Sequence, residues 1–389
     1  MARDARAMLV SKVLTSGSSF MAKRIRLITG LILFAFLTSH LLNLSFGLIS
    51  LEALDDSRLW FLFFWATKPG VALIMISVVT HLVLGLTALY NRNTLKMNRS
   101  DIVQLILGLV IFPLLFGHML GVVIGPLMTG TRQTYFSILT LFWVLDPVLG
   151  LKQVIVTVIT WIHGCMGLVI WMRIQSWWPR VAGFIYPLVI AIPLLALLGM
   201  VEAGKEVIEL NKDPNVAAAA LKILSATPDI FETLLMMQTI GLSGYFAILT
   251  IVLLARYIRV RKDRGVLNIS YADGIRLDVK SGLTLLEISR MNNIPHASLC
   301  GGRGRCGTCR VRVHEGLDHL PEATELERKT LTRVNASPDT RLACQVIPGT
   351  GTISIERLLP AYIEPKDLRR ARKSDDYETG DSLVAGGAE

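Results

Sequence analysis

The chain has 389 residues, with 40 Lys plus Arg against 30 Asp plus Glu, a formal net charge of +10. A basic excess invites a nucleic-acid reading, but hydrophobic residues make up 52% and charged residues only 18%, below the roughly 25% of a soluble domain. The same balance excludes a disordered polyelectrolyte and fits a membrane protein carrying a soluble piece. In chain order, residues 1–26 read as a cytoplasmic N-terminal segment and 27–258 as a six-span membrane domain. The apolar runs lie near 27–50, 68–90, 102–124, 151–173, 181–203 and 232–258, each close to the ~20 residues that a bilayer requires. The first run is too long for a signal-peptide core and ends in no small-residue cleavage motif, so it reads as a retained helix. Residues 125–150 are apolar and expected along the membrane interface, and the alanine run 217–220 suggests a short helix.

Basic residues orient the spans, because Lys and Arg concentrate on the cytoplasmic side of short loops. One side holds Arg3, Arg6, Lys12, Lys23, Arg24, Arg26, Arg92, Lys96, Arg99, Arg173, Arg180, Arg256, Arg259, Arg261, Lys262 and Arg264. The other holds only Arg58, Lys68, Arg132, Lys152, Lys205, Lys212 and Lys222. The expectation is a multi-pass protein of the cell inner membrane with both termini cytoplasmic. Trp60, Trp65 and Trp143 at one boundary and Trp171, Trp177 and Trp178 at the other match an aromatic belt. The excess charge thus faces anionic lipid and is no nucleic-acid footprint.

Each of the first four spans carries one histidine: His40, His81, His118 and His163. Ionisable residues in a membrane are costly and usually functional. A lone His is as often an interhelical hydrogen-bond partner, but four in four consecutive spans favour metal or haem ligation. Depth pairs them. His81 and His163 lie towards the cytoplasmic side, on spans running the same way. His40 and His118 lie further out on the other two, and spans of equal direction are diagonal in an up-down bundle. Each pair could clasp one haem, two in all. Bis-imidazole ligation leaves no open site on iron and points to electron transfer. Gly85, Gly121, Gly164 and Gly167 near these histidines offer room for a flat ring, although Gly also serves helix packing. Cys165 reads as a small core residue.

One histidine on each of four helices, paired by depth, resembles the dihaem cytochrome b anchors of succinate dehydrogenases and fumarate reductases. It is still more similar to the hexahelical haem-type anchors of some bacterial class III adenylate cyclases. The resemblance covers roughly residues 20–260 and implies haem ligation by His40, His81, His118 and His163.

From residue 265 the pattern becomes that of a small α+β domain over 265–358. Strands are expected at Leu267–Tyr271 and Ile275–Val279 around an Asp273-Gly274 hairpin turn. A helix over 283–292, a strand at 310–314, a helix near 323–333 and strands at 341–347 and 352–356 follow. Cys300, Cys306, Cys309 and Cys344 are spaced C-x5-C-x2-C-x34-C. Three thiolates on one glycine-rich loop and a fourth from a distant strand suit a [2Fe–2S] cluster. Structural zinc more often uses two close cysteine pairs. The segment resembles the [2Fe–2S] ferredoxin β-grasp domain, nearer the adrenodoxin type than the plant type, and the resemblance assigns these four cysteines as iron ligands. His296, His314 and His319 read as surface residues. Arg303 and Arg305 could tune the cluster or dock a partner, or simply be solvated.

Residues 359–389 read as a linker or disordered tail. No cyclase or other catalytic motif is found in the chain. The fold class is therefore an all-α six-helix transmembrane bundle followed by a small α+β ferredoxin-like β-grasp domain. The expected role is to pass or sense electrons between a cytoplasmic [2Fe–2S] cluster and b-type haems. One rival is the regulatory anchor of an adenylate cyclase whose effector domain lies outside this chain; another is a component of a quinone oxidoreductase. The partners that follow are the lipid bilayer, a cytoplasmic electron donor or acceptor, a quinone, a cyclase effector and a second copy in a homodimer.

Overall fold

The computed structural model describes residues 2–130, 134–173, 175, 177–216, 218, 228–261 and 265–364. Six long helices come first: α1 (Ala2–Ser45), α2 (Lys68–Asn91), α3 (Arg99–Met119), α4 (Pro147–Met172), α5 (Trp178–Leu210) and α6 (Pro228–Arg261). All six contain a stretch long and apolar enough to cross a membrane. α1 packs on α2 and α5, α3 on α4, and α6 on α2 and α3. The expected tail falls outside the described residues, as does most of the alanine-run helix.

Local chemistry sets the starts. The Thr67 hydroxyl accepts from the Gly70 amide at the head of α2. Asp146 does the same for Leu149 at the head of α4, where Pro147 opens the helix. At two places inside the helices, proline creates a vacancy that a neighbouring helix fills. Pro113 lacks an N–H for the carbonyl of Leu109, four residues back, and the Tyr245 hydroxyl of α6 donates to that oxygen at 2.7 Å. Pro193 of α5 likewise frees the carbonyl of Val189, which accepts from the Trp161 indole of α4 at 2.8 Å.

The interface expectation for residues 125–150 is corrected in part. The helix Tyr135–Thr140 and the π turn Leu141–Leu145 fold inward, and Tyr135, Leu139 and Phe142 are buried with Leu51, Leu54, Met200 and Ala203. This cap closes the end of the bundle remote from the soluble domain. Buried polar groups fix it: the Asn43 amide donates to the Leu54 carbonyl and Ser57 hydroxyl, while the Tyr135 hydroxyl donates to Asn43. Apolar sequence alone does not separate a helix lying on lipid from one packed on protein. Beneath the cap α1 and α5 cross closely; a Cβ on Gly199 would stand 2.2 Å from the Leu44 carbonyl.

The soluble domain holds β1 (Val266–Tyr271), β2 (Arg276–Lys280), α7 (Leu285–Met291), β3 (Arg310–Glu315), α8 (Glu325–Arg333), β4 (Thr340–Leu342) and β5 (Gly351–Arg357). The sheet order is β2-β1-β5-β3-β4, with β1–β5 parallel and the other pairs antiparallel. Gly274, at φ +89°, closes the β1–β2 hairpin as expected. α7 begins with a reciprocal capping box between Thr284 and Glu287. Leu267, Ile269, Leu285, Ile288, Ile353 and Ile355 lie in the core of this domain. The strand expected over 341–347 is shorter. β4 stops at Leu342 and the chain turns, with the Gln345 and Val346 amides returning to the Leu342 carbonyl. Cys344 therefore sits in a turn rather than a strand.

Candidate functional site

Two sets of residues are candidates, one in the bundle and one in the soluble domain. In the bundle the four histidines come together in the two pairs expected from depth. The His81 and His163 rings face each other across the bundle with centroids 6.4 Å apart, and His40 and His118 do so at 6.4 Å as well. The first pair lies towards the soluble domain and the second towards the cap.

Glycines make room for the first pair. A Cβ on Gly30 of α1 would stand 3.1 Å from Cε1 of His81, and one on Gly108 of α3 would stand 2.9 Å from Cε1 of His163. Neither glycine stands out in the sequence, where each looks like any membrane-helix glycine. Of those that do, Gly164 packs on Phe34 and Gly167 on Gln104, so both serve helix contact. Gly85 and Gly121 have nothing within 4 Å of a built Cβ. The Thr29 hydroxyl lies 3.2 Å from Nδ1 of His81. Nδ1 of His40 is buried without a hydrogen-bond partner, a rare state for a buried polar atom. Cys165 lies half-buried beside Phe34 and Trp161, as a core residue.

In the soluble domain Cys300, Cys306, Cys309 and Cys344 are all buried. Their sulfurs fall into two contacting pairs, Cys300 with Cys306 and Cys309 with Cys344. Backbone N–H groups of Arg305, Cys306 and Arg303 point at the Cys300 sulfur. The Thr308 amide and hydroxyl approach Cys306, and the Gln345 side-chain amide donates to Cys344 at 3.2 Å. The Cys306 thiol and those amides hold Cys300 well below the usual thiol range against the opposing effect of burial. Contact with Cys300, then burial, pushes Cys306 up; contact with Cys344, then burial, pushes Cys309 up. Positive φ at Gly301, Gly302, Gly304 and Gly307 turns the loop amides inward.

This donor set fits a two-iron cluster. Two buried sulfur pairs could hold two irons, and the inward amides would offset the charge that four thiolates bring. Thr330 of α8 donates to the Gly304 carbonyl at 2.7 Å and braces the loop from outside. Below it, Glu327 grips Arg341 with both oxygens and accepts from the Leu342 amide at 2.8 Å, fixing the strand end that presents Cys344.

The surface expectation for histidines holds for His314, which is exposed beside Glu356, and for His319. It fails for His296. Nδ1 of His296 is 3.0 Å from the Ser289 hydroxyl, which meets the Tyr271 hydroxyl at 2.9 Å, and Nε2 is buried. Burial, then the nearby Arg357 charge, pushes the imidazole down to about 4.

Residues 270–349 match the model of the 2Fe-2S iron-sulfur cluster binding domain family. A 2Fe-2S ferredoxin of Pseudomonas aeruginosa is 33% identical over 91 residues, which cover 23% of this chain and 80% of that protein. Longer relatives are matched only in part. The chain is 31% identical over 98 residues to one component of the Na(+)-translocating NADH-quinone reductase of Chlamydia muridarum, covering 25% of this chain but 22% of that one. It is 30% identical over 97 residues to chlorosome protein I of Chlorobaculum tepidum, covering 25% of this chain and 38% of that one.

Proposed function

We propose that this chain, which belongs through its C-terminal domain to the [2Fe–2S] ferredoxins, is a membrane-bound electron-transfer protein in which Cys300, Cys306, Cys309 and Cys344 hold the cluster and two histidine pairs hold b-type haems. The observation that carries the haem reading is the pairing of four histidines from four helices into two sets with 6.4 Å between ring centroids. Each set has the separation expected of two imidazoles on opposite sides of one metal, with metal–nitrogen bonds of about 2 Å. The cluster and the haem irons would supply one-electron oxidation and reduction. The protein's own task is to hold these groups in line and dry. Gly30 and Gly108 let the rings of His81 and His163 lie against neighbouring helices. The cap around Tyr135 and Asn43 closes the far end over the His40 and His118 pair.

The excess of basic residues on the ferredoxin side supports a cytoplasmic position for both termini at a cell inner membrane. Optical and EPR spectra of the purified protein test the reading. A bis-imidazole haem spectrum together with a reduced [2Fe–2S] signal is expected. Replacing His81 or His163 should remove one haem, and replacing His40 or His118 the other. Loss of the same haem from His81 and His118 variants would overturn the pairing.

A second reading makes a quinone the membrane-phase partner. The likeness to part of a quinone reductase supports it. So does a lipid-facing groove of about 580 Å³ between α4 and α5, with Ser100 and Arg173 at its polar end. Quinol-dependent haem reduction tests it. The regulatory reading, an anchor for a cyclase effector, rests on the anchor resemblance and is tested by a cyclase-coding segment in the same or the adjacent reading frame.

A further inference from the structure

The ferredoxin domain meets the bundle at one end of the cysteine loop and at sites flanking it. Arg303 forks across the junction. One guanidinium nitrogen donates to the Cys300 carbonyl at 2.8 Å, and the other meets the Asp101 carboxylate at 3.0 Å. Asp101 lies in the first turn of α3 and its side chain is 4% exposed. It stands two turns, about 10 Å, before Gly108, which backs His163. The loop itself is shaped for this approach. Gly301 has φ +67°, and a Cβ there would lie 2.5 Å from the Arg303 guanidinium and 3.4 Å from Asp101. Arg173, at the end of α4, donates to the Leu299 carbonyl beside the same loop. Outside this centre Lys96 reaches the Met291 carbonyl and Asn293, Asn93 donates to the Gly282 carbonyl, and α1 packs on α8.

We infer that Asp101 and Arg303 form a latch that seats the cysteine loop on the mouth of the bundle, making Arg303 a positioning residue for transfer towards the His81 and His163 pair. A carboxylate this buried needs positive charge beside it: Arg303, from the other domain, makes the ion pair at 3.0 Å, and Arg92 lies near enough to act on the same carboxylate. The transfer role rests on the function proposed above. The docking does not.

The test uses the full chain in nanodiscs, with a photo-crosslinking amino acid in place of Lys96 and mass-spectrometric detection of adducts to residues 291–293. In the D101N and R303Q variants the crosslink yield should fall roughly tenfold, since breaking one side of a buried charge pair costs about that or more. The D101N/R303Q double variant should fall no further than either single one. The [2Fe–2S] EPR signal of D101N should be unchanged, because Asp101 touches no cysteine. Unchanged crosslinking in both single variants, or losses that simply multiply in the double variant, would overturn the latch. Absence of haem from the protein would overturn the proposed function and leave the crosslink result standing.

Discussion

Single residues show how much chemistry the sequence exposed and where it hid the rest. The four cysteines were legible because their spacing has few physical uses. The histidines were legible because imidazole is rare in a bilayer interior. Gly30 and Gly108 were not, because a glycine's meaning depends on what lies opposite it on another helix. His296 was misjudged for the same reason: a polar residue in a loop segment looks exposed until Ser289 and Tyr271 are seen beside it. It also yields a pH prediction. The native imidazole titrates at about 4, below its ordinary value near 6.5. Unfolding therefore takes up a proton between those values, so this residue's contribution is complete above about pH 6.5 and is lost as pH falls towards 4. Denaturant titrations of the full chain at pH 7 and pH 5 should show a smaller loss for His296→Gln than for the unaltered protein. Equal losses would show that another group governs that range.

At the level of elements, the six spans followed from the length of their apolar runs and the α+β order from periodicity and turn signals, because each needs only its own stretch of sequence to be recognised. The proline vacancies did not. Pro113 and Pro193 were visible in the sequence, but which side chain completes each freed carbonyl depends on helix packing. A double-mutant cycle checks the assignment. Tyr245→Phe should destabilise the bundle by about 1 kcal/mol, as expected for one lost hydrogen bond in a membrane. In a Pro113→Ala background that cost should largely vanish, because the alanine N–H then satisfies Leu109. Thermal unfolding in detergent reads both, and an equal cost in both backgrounds would remove the pairing of Tyr245 with Pro113.

At the scale of the molecule, two parts with different sources of stability are joined. The bundle is held by helix contacts, its cap and lipid. The ferredoxin domain has its own core, but its cysteine loop brings four buried sulfurs together, and a bound cluster would hold them there. Removing iron with a chelator under reducing conditions should therefore loosen residues 298–309 and 343–346 while leaving the spans intact. Hydrogen exchange should rise sharply in those segments and stay unchanged in α2 to α5. A rise throughout the bundle would mean that the two parts fold as one unit.

The sequence by itself determined the two-part architecture, the cluster motif and the depth pairing of the histidines. Each of these is a matter of composition or spacing along one chain, and spacing survives without coordinates. Tertiary structure alone decided that Tyr135–Leu145 turns inward as a cap, that Cys344 sits in a turn, and that Arg303 meets Asp101. The last of these contacts joins residues 202 positions apart. Its formation depends on which surfaces packing brings together, and an apolar or charged residue in isolation carries no record of its partner.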